Sequence, residues 1–144
     1  MKRIQIDAVE PAAYEAMFVL EGYLTKSKLS ATHKNLIKIR ASQINGCAFC
    51  IDMHIKEAIK EGENPRRIYV LGGWRKTDLF SDEEIAILKM TEELTVLNEN
   101  GLTDATYQEA TRHFDEHTFC QIVMTIVTIN SWNRIAISTH KPLP

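Results

Sequence analysis

The chain has 144 residues, of which 44% are hydrophobic and 25% are charged, a composition that suits one compact globular domain spanning residues 1–144. Its formal net charge is −2, with acidic and basic residues interleaved, so the sequence offers no basic face for a nucleic-acid backbone. No apolar run is long enough to cross a membrane. The two basic residues near the N-terminus precede no apolar signal-peptide core, and we therefore expect a cytoplasmic protein.

Helical spacing of apolar residues dominates the first half of the chain, and no convincing strand pattern interrupts it. Pro11 can start a helix that runs to about Lys26. Ser30 is a suitable N-cap for a second helix, which Asn45-Gly46 ends. A third helix is expected from about Cys47 to Lys60.

The second half continues in the same way. Asn64-Pro65 restarts a short helix that Gly72-Gly73 is expected to end. Ser81-Asp82-Glu83-Glu84 has the spacing of a capping box and begins the next helix. Thr103 begins another helix through Phe114, and a long apolar helix follows from about Thr118 to Ser138. The sequence thus predicts an all-α fold of about six or seven helices.

Two expectations concern the last helix and its end. Cys120 lies between Phe119 and Ile122, and we expect it to be buried as a small apolar residue. Residues 140–144 follow the helix and are predicted to fray.

Three residues form the chemically most informative pattern in the chain. On a helix, positions three, four and seven apart share a face, so Cys47, Cys50 and His54 form one stripe about two turns long. The two thiols can meet, and His54 lies one turn from Cys50. Asn45-Gly46 places both sulfurs at a helix start, where free backbone N–H groups and the helix dipole stabilise a thiolate.

This stripe suits peroxide reduction. A Cys50 thiolate can attack a peroxide and become a sulfenic acid, which condenses with the Cys47 thiol to form a disulfide. His54 can accept the thiol proton as a general base and later deliver a proton to the leaving oxygen. An external thiol or dithiol, possibly a protein, must then reduce the disulfide.

Other interpretations of the same cysteines remain open at this stage. A zinc site needs a fourth ligand, for which Cys120, His33 and His113 are available. A thioredoxin-like fold is disfavoured because the motif follows a helix instead of a strand. A non-catalytic redox sensor or disulfide carrier acting on a partner protein can use the same pair and is the main alternative to an enzyme.

The segment from Arg40 to His54, read as Arg-Ala-Ser-Gln-Ile-Asn-Gly-Cys-Ala-Phe-Cys-Ile-Asp-Met-His, resembles the core motif of the AhpD-like alkylhydroperoxidases, which are also called the carboxymuconolactone decarboxylase family. Further similarity lies elsewhere along the chain. It appears in Gly72-Gly73-Trp74-Arg75, in Phe80–Glu84 followed by Thr91–Thr95, and in Ile129–Arg134.

The resemblance implies an all-helical homo-oligomer with thiol peroxidase activity of the peroxiredoxin type. Cys50 is then the peroxidatic cysteine and Cys47 the resolving one, with His54 as the third catalytic residue. It implies a small peroxide as substrate, hydrogen peroxide or a small organic hydroperoxide, and no cofactor or metal. Neither nucleic acid nor a membrane is implied as a partner.

The family's peroxidases often carry a glutamate twelve residues before the first cysteine, in a proton relay with the motif histidine. That position is Asn35 here. An amide can orient His54 by accepting its ring proton in a hydrogen bond, but it cannot take up a proton. Glu15 and Glu21 are alternative acceptors, and Phe49 stands where the namesake has a histidine between its cysteines.

Overall fold

The structure, a computed structural model, describes residues 1–144 and contains helices and connecting turns without any strand. Eight α-helices and one 3-10 helix follow one another along the chain. They are α1 (Ile6–Val9), α2 (Pro11–Thr25), α3 (Ala31–Asn45), α4 (Ala48–Lys60), α5 (Pro65–Tyr69), the 3-10 helix (Leu71–Lys76), α6 (Asp82–Thr95), α7 (Asp104–His113) and α8 (Glu116–Ser138). The all-α class is confirmed, and α1 and the 3-10 helix are the elements that the sequence did not predict.

Side chains that cap helix N-termini set most of the boundaries. The Ser30 hydroxyl accepts a hydrogen bond from the backbone N–H of His33 at the start of α3. At α6 the capping box is complete, because Ser81 accepts from the Glu84 backbone while the Glu84 carboxylate accepts from the Ser81 N–H. Asp115 caps α8, which therefore begins two residues earlier than expected.

Helix α3 lies at the centre of the molecule and packs against α4, α6 and α8. One side of α3 contributes Ile37 to a core cluster shared with α6 and α8. Its other side contributes Leu36 and Ile39 to a second cluster that includes Trp74 of the 3-10 helix. Burial on both sides fixes α3, and its C-terminal end delivers the start of α4 next to α8.

The short α-helix that Asn64-Pro65 was predicted to start ends at Tyr69, three residues before Gly72-Gly73. A 3-10 helix follows from Leu71 to Lys76 and is kinked at Gly73, whose φ of −110° and ψ of 22° are not helical. Leu71 and Trp74 are both buried, and these two side chains anchor the 3-10 helix in the core.

Cys120 is exposed, contrary to expectation. It lies two residues before the fully buried Ile122, and two positions on a helix are about 200° apart, so the two side chains occupy opposite faces of α8. None of the helices, including α8, combines the length and apolar character needed to cross a bilayer.

The segment after α8 is held in place, not frayed, as far as Lys141. The Lys141 ammonium pairs with Asp7 at 3.1 Å. Gln5 donates a hydrogen bond to the Thr139 carbonyl oxygen at 2.9 Å, and Arg3 donates one to the Ser138 carbonyl oxygen. The N-terminal segment therefore fastens the end of α8, a long-range contact that local sequence patterns do not reveal.

Candidate redox site

The site is built where α3 ends and α4 begins. Gly46 ends α3 in the left-handed conformation with φ of +69°, which glycine adopts without strain. Cys47 then serves as the N-cap of α4, and its Sγ accepts a hydrogen bond from the Cys50 backbone N–H at 3.3 Å. A cysteine sulfur thus occupies the place that a serine or aspartate oxygen commonly takes at a helix start.

Cys47 and Cys50 are joined by a disulfide, with their Cα atoms 5.3 Å apart. Both residues are 2% exposed. The pair therefore lies at the electropositive end of α4 but is recessed below the surface. The spacing of the two cysteines had indicated that their sulfurs can meet, and the structure brings them together.

His54 follows Cys50 by one helical turn and is buried. Its Nδ1 is hydrogen bonded to Glu57 Oε2 at 2.8 Å. An ionised carboxylate only accepts, so Nδ1 carries a proton in this bond, and in the neutral ring Nε2 is the nitrogen that can accept one. The hydrogen bond from His54 lowers the pKa of Glu57 below its ordinary 4.5, although partial burial acts in the opposite direction.

Sequence reasoning did not identify Glu57 as the partner of His54. Asn35, which was expected to orient the ring, donates instead to Glu61 Oε2 at 2.7 Å. Glu21 accepts a hydrogen bond from the Trp132 indole at 3.0 Å, and Glu15 is exposed. The spacing of three residues between His54 and Glu57 on one helix was the available signal.

A cavity of about 290 Å³, here called the histidine-side cavity, opens beside Cys50 and His54. Most of its wall is apolar. The large apolar residues of that wall are Tyr14, Phe18, Phe49, Met53, Trp132 and Ile135. Four charged residues complete the lining: Glu21, Lys38, Glu57 and Lys141. Cys47 does not line this cavity.

A second cavity of about 280 Å³, here called the cap-side cavity, lies at the other end of the disulfide. Cys47 lines it, whereas Cys50 and His54 do not. Its remaining lining consists of Gly46, Ala48, Phe49, Ala136, Ile137, His140 and Lys141. Cys47 and Cys50 therefore line different cavities, although a disulfide joins them.

A comparison with protein families places residues 11–93 within the model of the carboxymuconolactone decarboxylase family. A relative from Bacillus subtilis, the uncharacterised protein YdfG, is 41% identical over 95% of this chain and 93% of its own length. The chain belongs to this family. The resemblance seen in the core motif is thereby confirmed.

Other proteins that are similar to this chain extend the comparison. One similar crystal structure is that of an Agrobacterium tumefaciens protein of unknown function, which is named as a candidate AhpD antioxidant defence protein. Its TM-score is 0.95 and its sequence identity is 35%, and the match covers 100% of this chain and 99% of that one. The uncharacterised Escherichia coli protein YnjA is 27% identical over 77% of this chain and 60% of its own length. The debrominase Bmp8 has a TM-score of 0.82 at 16% identity, covering 95% of this chain and 74% of its own, and shows the shared fold alone.

The family-like segment Ile129–Arg134 contributes a buried polar network that the sequence did not predict. Asn133 is fully buried; its amide donates to Ser42 Oγ at 3.0 Å, and its oxygen accepts from Asn45 Nδ2 at 2.9 Å. Asn45 also donates to Asn130. The network ties the last residue of α3, just before the cysteine motif, to α8.

The residues suggested for a metal site do not assemble in this family member. No three His, Cys, Asp or Glu side chains lie close enough to one another to hold a metal ion. Cys47 and Cys50 are bonded to each other, while Cys120 and His113 are exposed on other helices. The donor set needed for a structural zinc ion is therefore not gathered here.

Proposed function

We propose that the protein is a thiol-dependent peroxidase that reduces organic hydroperoxides through Cys47 and Cys50. The observation that carries the proposal is the position of Cys50 and His54 on one apolar cavity, with Cys50 joined to Cys47 in a disulfide. Membership of the carboxymuconolactone decarboxylase family and the similarity to a candidate antioxidant defence protein agree with it.

The proposed oxidative step begins with the reduced pair. The Cys50 thiolate attacks one oxygen of the O–O bond, the bond breaks, and the second oxygen leaves as an alkoxide that His54 protonates. Cys50 is now a sulfenic acid. The Cys47 sulfur attacks it, hydroxide leaves and is protonated to water, and the disulfide forms. The peroxide gains two electrons, and the two thiols lose them.

The electrostatics of the two sulfurs differ in a way that suits these roles. Cys47 Sγ accepts the Cys50 N–H at the helix start, an arrangement that stabilises a Cys47 thiolate for attack on the sulfenic acid. Cys50 lines the same cavity as the His54 imidazole. The bond from His54 Nδ1 to Glu57 holds the ring in the tautomer whose Nε2 can take the thiol proton.

The lining of the histidine-side cavity favours organic hydroperoxides over hydrogen peroxide. Tyr14, Met53 and Ile135 offer apolar contacts that an alkyl or aryl group can bury and that hydrogen peroxide cannot use. The volume of about 290 Å³ admits a small organic molecule.

Turnover distinguishes the enzyme from a redox sensor or disulfide carrier. An enzyme consumes many equivalents of cumene hydroperoxide in the presence of excess thiol, whereas a sensor is oxidised once per molecule. We expect Cys50→Ser to abolish turnover and Cys47→Ser to stop at the sulfenic acid, which mass spectrometry after trapping with dimedone detects. Cys120→Ser is the matched control, because Cys120 is exposed and lies outside the site. Turnover by Cys50→Ser at the wild-type rate would overturn the proposal.

We also propose that the protein forms the homo-oligomer that the family resemblance implied. Helix α2 exposes apolar side chains at Val19 and Tyr23 that a second copy can cover. Sedimentation of the wild type and of Val19→Glu tests it, since a monomeric wild type contradicts the proposal.

A further inference from the structure

The two ends of the disulfide reach different cavities. The cap-side cavity contains Cys47 but not Cys50 or His54, and the histidine-side cavity contains Cys50 and His54 but not Cys47. Three residues line both cavities: Phe49, which lies between the two cysteines in the sequence, Ala136 of α8, and Lys141. These three residues form the boundary between the cavities.

We propose that the cap-side cavity is the binding site for the reductant, a low-molecular-weight thiol that attacks Cys47, while the hydroperoxide uses the histidine-side cavity. The proposal rests on the proposed function in one respect, namely that the disulfide is formed and reduced in each cycle.

The reduction is a two-step exchange. A thiolate attacks Cys47 Sγ, the bond to Cys50 breaks, and its electron pair leaves on Cys50 Sγ. A second thiol then attacks the thiol-derived sulfur of the mixed disulfide, releasing Cys47 and a disulfide of the two reductant molecules. The two small thiols supply the two electrons that the protein disulfide gains.

Access to the two cysteines favours attack on Cys47, because Cys47 lines the cap-side cavity and Cys50 does not. Cys50, whose sulfur leaves, lines the same cavity as His54, and the protonated imidazolium form of that ring can stabilise the departing thiolate or transfer a proton to it. Attack on Cys50 instead would require the reductant to occupy the space beside His54 that the hydroperoxide needs. Separate cavities remove that competition.

The depth of the pair selects a small thiol as the reductant. Cys47 and Cys50 are each only 2% exposed, so a thiol carried on a broad protein surface cannot come into contact with either sulfur without displacing residues around it. The cap-side cavity, of about 280 Å³, accommodates a molecule of the size of 2-mercaptoethanol.

Two residues of α8 provide a matched pair of variants. Ile137 lines only the cap-side cavity, and Ile135 lines only the histidine-side cavity. Protein oxidised chemically with diamide is mixed with 2-mercaptoethanol, and the rate of disulfide reduction is followed by acid quench, alkylation and mass spectrometry. We expect Ile137→Trp to lower the second-order rate constant about tenfold and Ile135→Trp to leave it within about twofold, because exchange depends on access to the attacked sulfur.

For oxidation of the reduced proteins by cumene hydroperoxide we expect the opposite, with Ile135→Trp slowed and Ile137→Trp close to wild type. Each variant therefore retains one of the two reactions, which shows that it is folded. Ala48→Leu, a second change confined to the cap-side cavity, replaces Ile137→Trp if that variant does not fold. The alkylation pattern adds an independent readout, with the mixed disulfide on Cys47 and the alkyl group on Cys50.

Cumyl alcohol tests the separation of the cavities without any substitution. We expect it to slow oxidation by cumene hydroperoxide and not the reduction by 2-mercaptoethanol. Equal reduction rates in wild type, Ile137→Trp and Ala48→Leu, or a mixed disulfide on Cys50, overturn the inference. Because diamide forms the disulfide, these results are independent of whether the protein reacts with peroxides, so failure of the peroxidase proposal is seen separately.

Discussion

The ring of His54 and the carboxylate of Glu57 form a hydrogen bond of 2.8 Å one turn apart on α4. This bond replaces, within one helix, the contact that the family resemblance had suggested for the position of Asn35. Asn35 bonds to Glu61 instead, at 2.7 Å. The chain therefore keeps a carboxylate on its histidine but supplies it from a different place in the sequence.

Glu57→Gln tests whether this carboxylate positions His54. A glutamine oxygen can still accept from Nδ1, but the bond is no longer charge-assisted, a loss on the order of 1 kcal/mol. We expect the rate constant for Cys50 oxidation by cumene hydroperoxide to fall about five- to tenfold, since 1.4 kcal/mol corresponds to about tenfold. His54→Gln is expected to lower it by about a hundredfold, the lower range for a general acid–base group.

The pH dependence separates a positioning role from a general loss of structure. Glu57 has a pKa below 4.5, lowered chiefly by the hydrogen bond from His54, so its carboxylate is ionised at neutral pH. The advantage of wild type over Glu57→Gln should be constant near neutrality and disappear as the pH falls through that lowered pKa. Glu61→Gln, which changes the partner of Asn35 only, serves as the matched control. An equal loss of rate in both variants contradicts the role assigned to Glu57.

Substrate selectivity tests the apolar character of the histidine-side cavity. Met53→Asn replaces an apolar wall residue, and we expect kcat/KM for cumene hydroperoxide to fall about tenfold, the equivalent of 1.4 kcal/mol of lost apolar contact. The value for hydrogen peroxide should change little, because that substrate has no apolar group to bury. Met17→Asn on α2, outside the cavity lining, is the control. A parallel loss for both peroxides points to damage of the catalytic groups and away from substrate selection.

Asn133 is expected to be a major contributor to stability. It is fully buried and bonds to both Ser42 and Asn45. Asn133→Ala leaves the buried Ser42 hydroxyl without this partner and the half-buried Asn45 with only Asn130, and we expect the free energy of unfolding to fall by about 2–3 kcal/mol. Urea denaturation of the reduced and oxidised protein measures it. Ser131→Ala, whose hydroxyl bonds only to the Val127 carbonyl oxygen of its own helix, should change stability by less than about 0.5 kcal/mol. Similar values for both variants speak against the importance of the network.

The residues that sequence reasoning located are those whose signals are local. Ser30 and Ser81 cap the helices that they were expected to cap, because an N-cap depends on atoms within three residues of it. The same holds for Cys47, Cys50 and His54, which one helix brings into register. The sequence reasoning therefore predicted the all-α class and the proximity of the two cysteines, while the catalytic roles of the three residues stay a prediction.

What the sequence did not reveal depends on contacts between distant segments. The bonds of Asn133 to α3 and of Lys141 to Asp7 join residues 91 and 134 positions apart, respectively, and no local period specifies them. Cys120 illustrates a different limit. An apolar neighbourhood in the sequence suggested burial, but the helix turns this residue away from Ile122 and out of the core.

Glu92 should make the stability of the protein depend on pH in the acid range. Its carboxylate accepts hydrogen bonds from Trp74 Nε1 at 2.8 Å and from Arg40 Nε at 2.9 Å, and it pairs with Arg75. Burial raises its pKa, but the hydrogen bonds from these three residues outweigh that effect and hold the pKa below 4.5. A carboxyl group with a lowered folded-state pKa stabilises the fold above its unfolded-state pKa, and that contribution is lost as the pH falls through the folded-state value.

Glu92→Gln isolates this contribution. The variant keeps one acceptor oxygen but loses the negative charge that faces two arginines. We expect its free energy of unfolding at pH 7 to be about 2 kcal/mol lower than that of wild type. Because protonation removes the same charge from wild type, the difference should shrink as the pH drops below 4.5. Urea denaturation at pH 7 and at several acid pH values measures it. Glu99→Gln, at an exposed residue with no side-chain partner, is expected to match wild type throughout. A difference between wild type and Glu92→Gln that stays constant down to low pH means that the amide disturbs packing and that the charge itself contributes little.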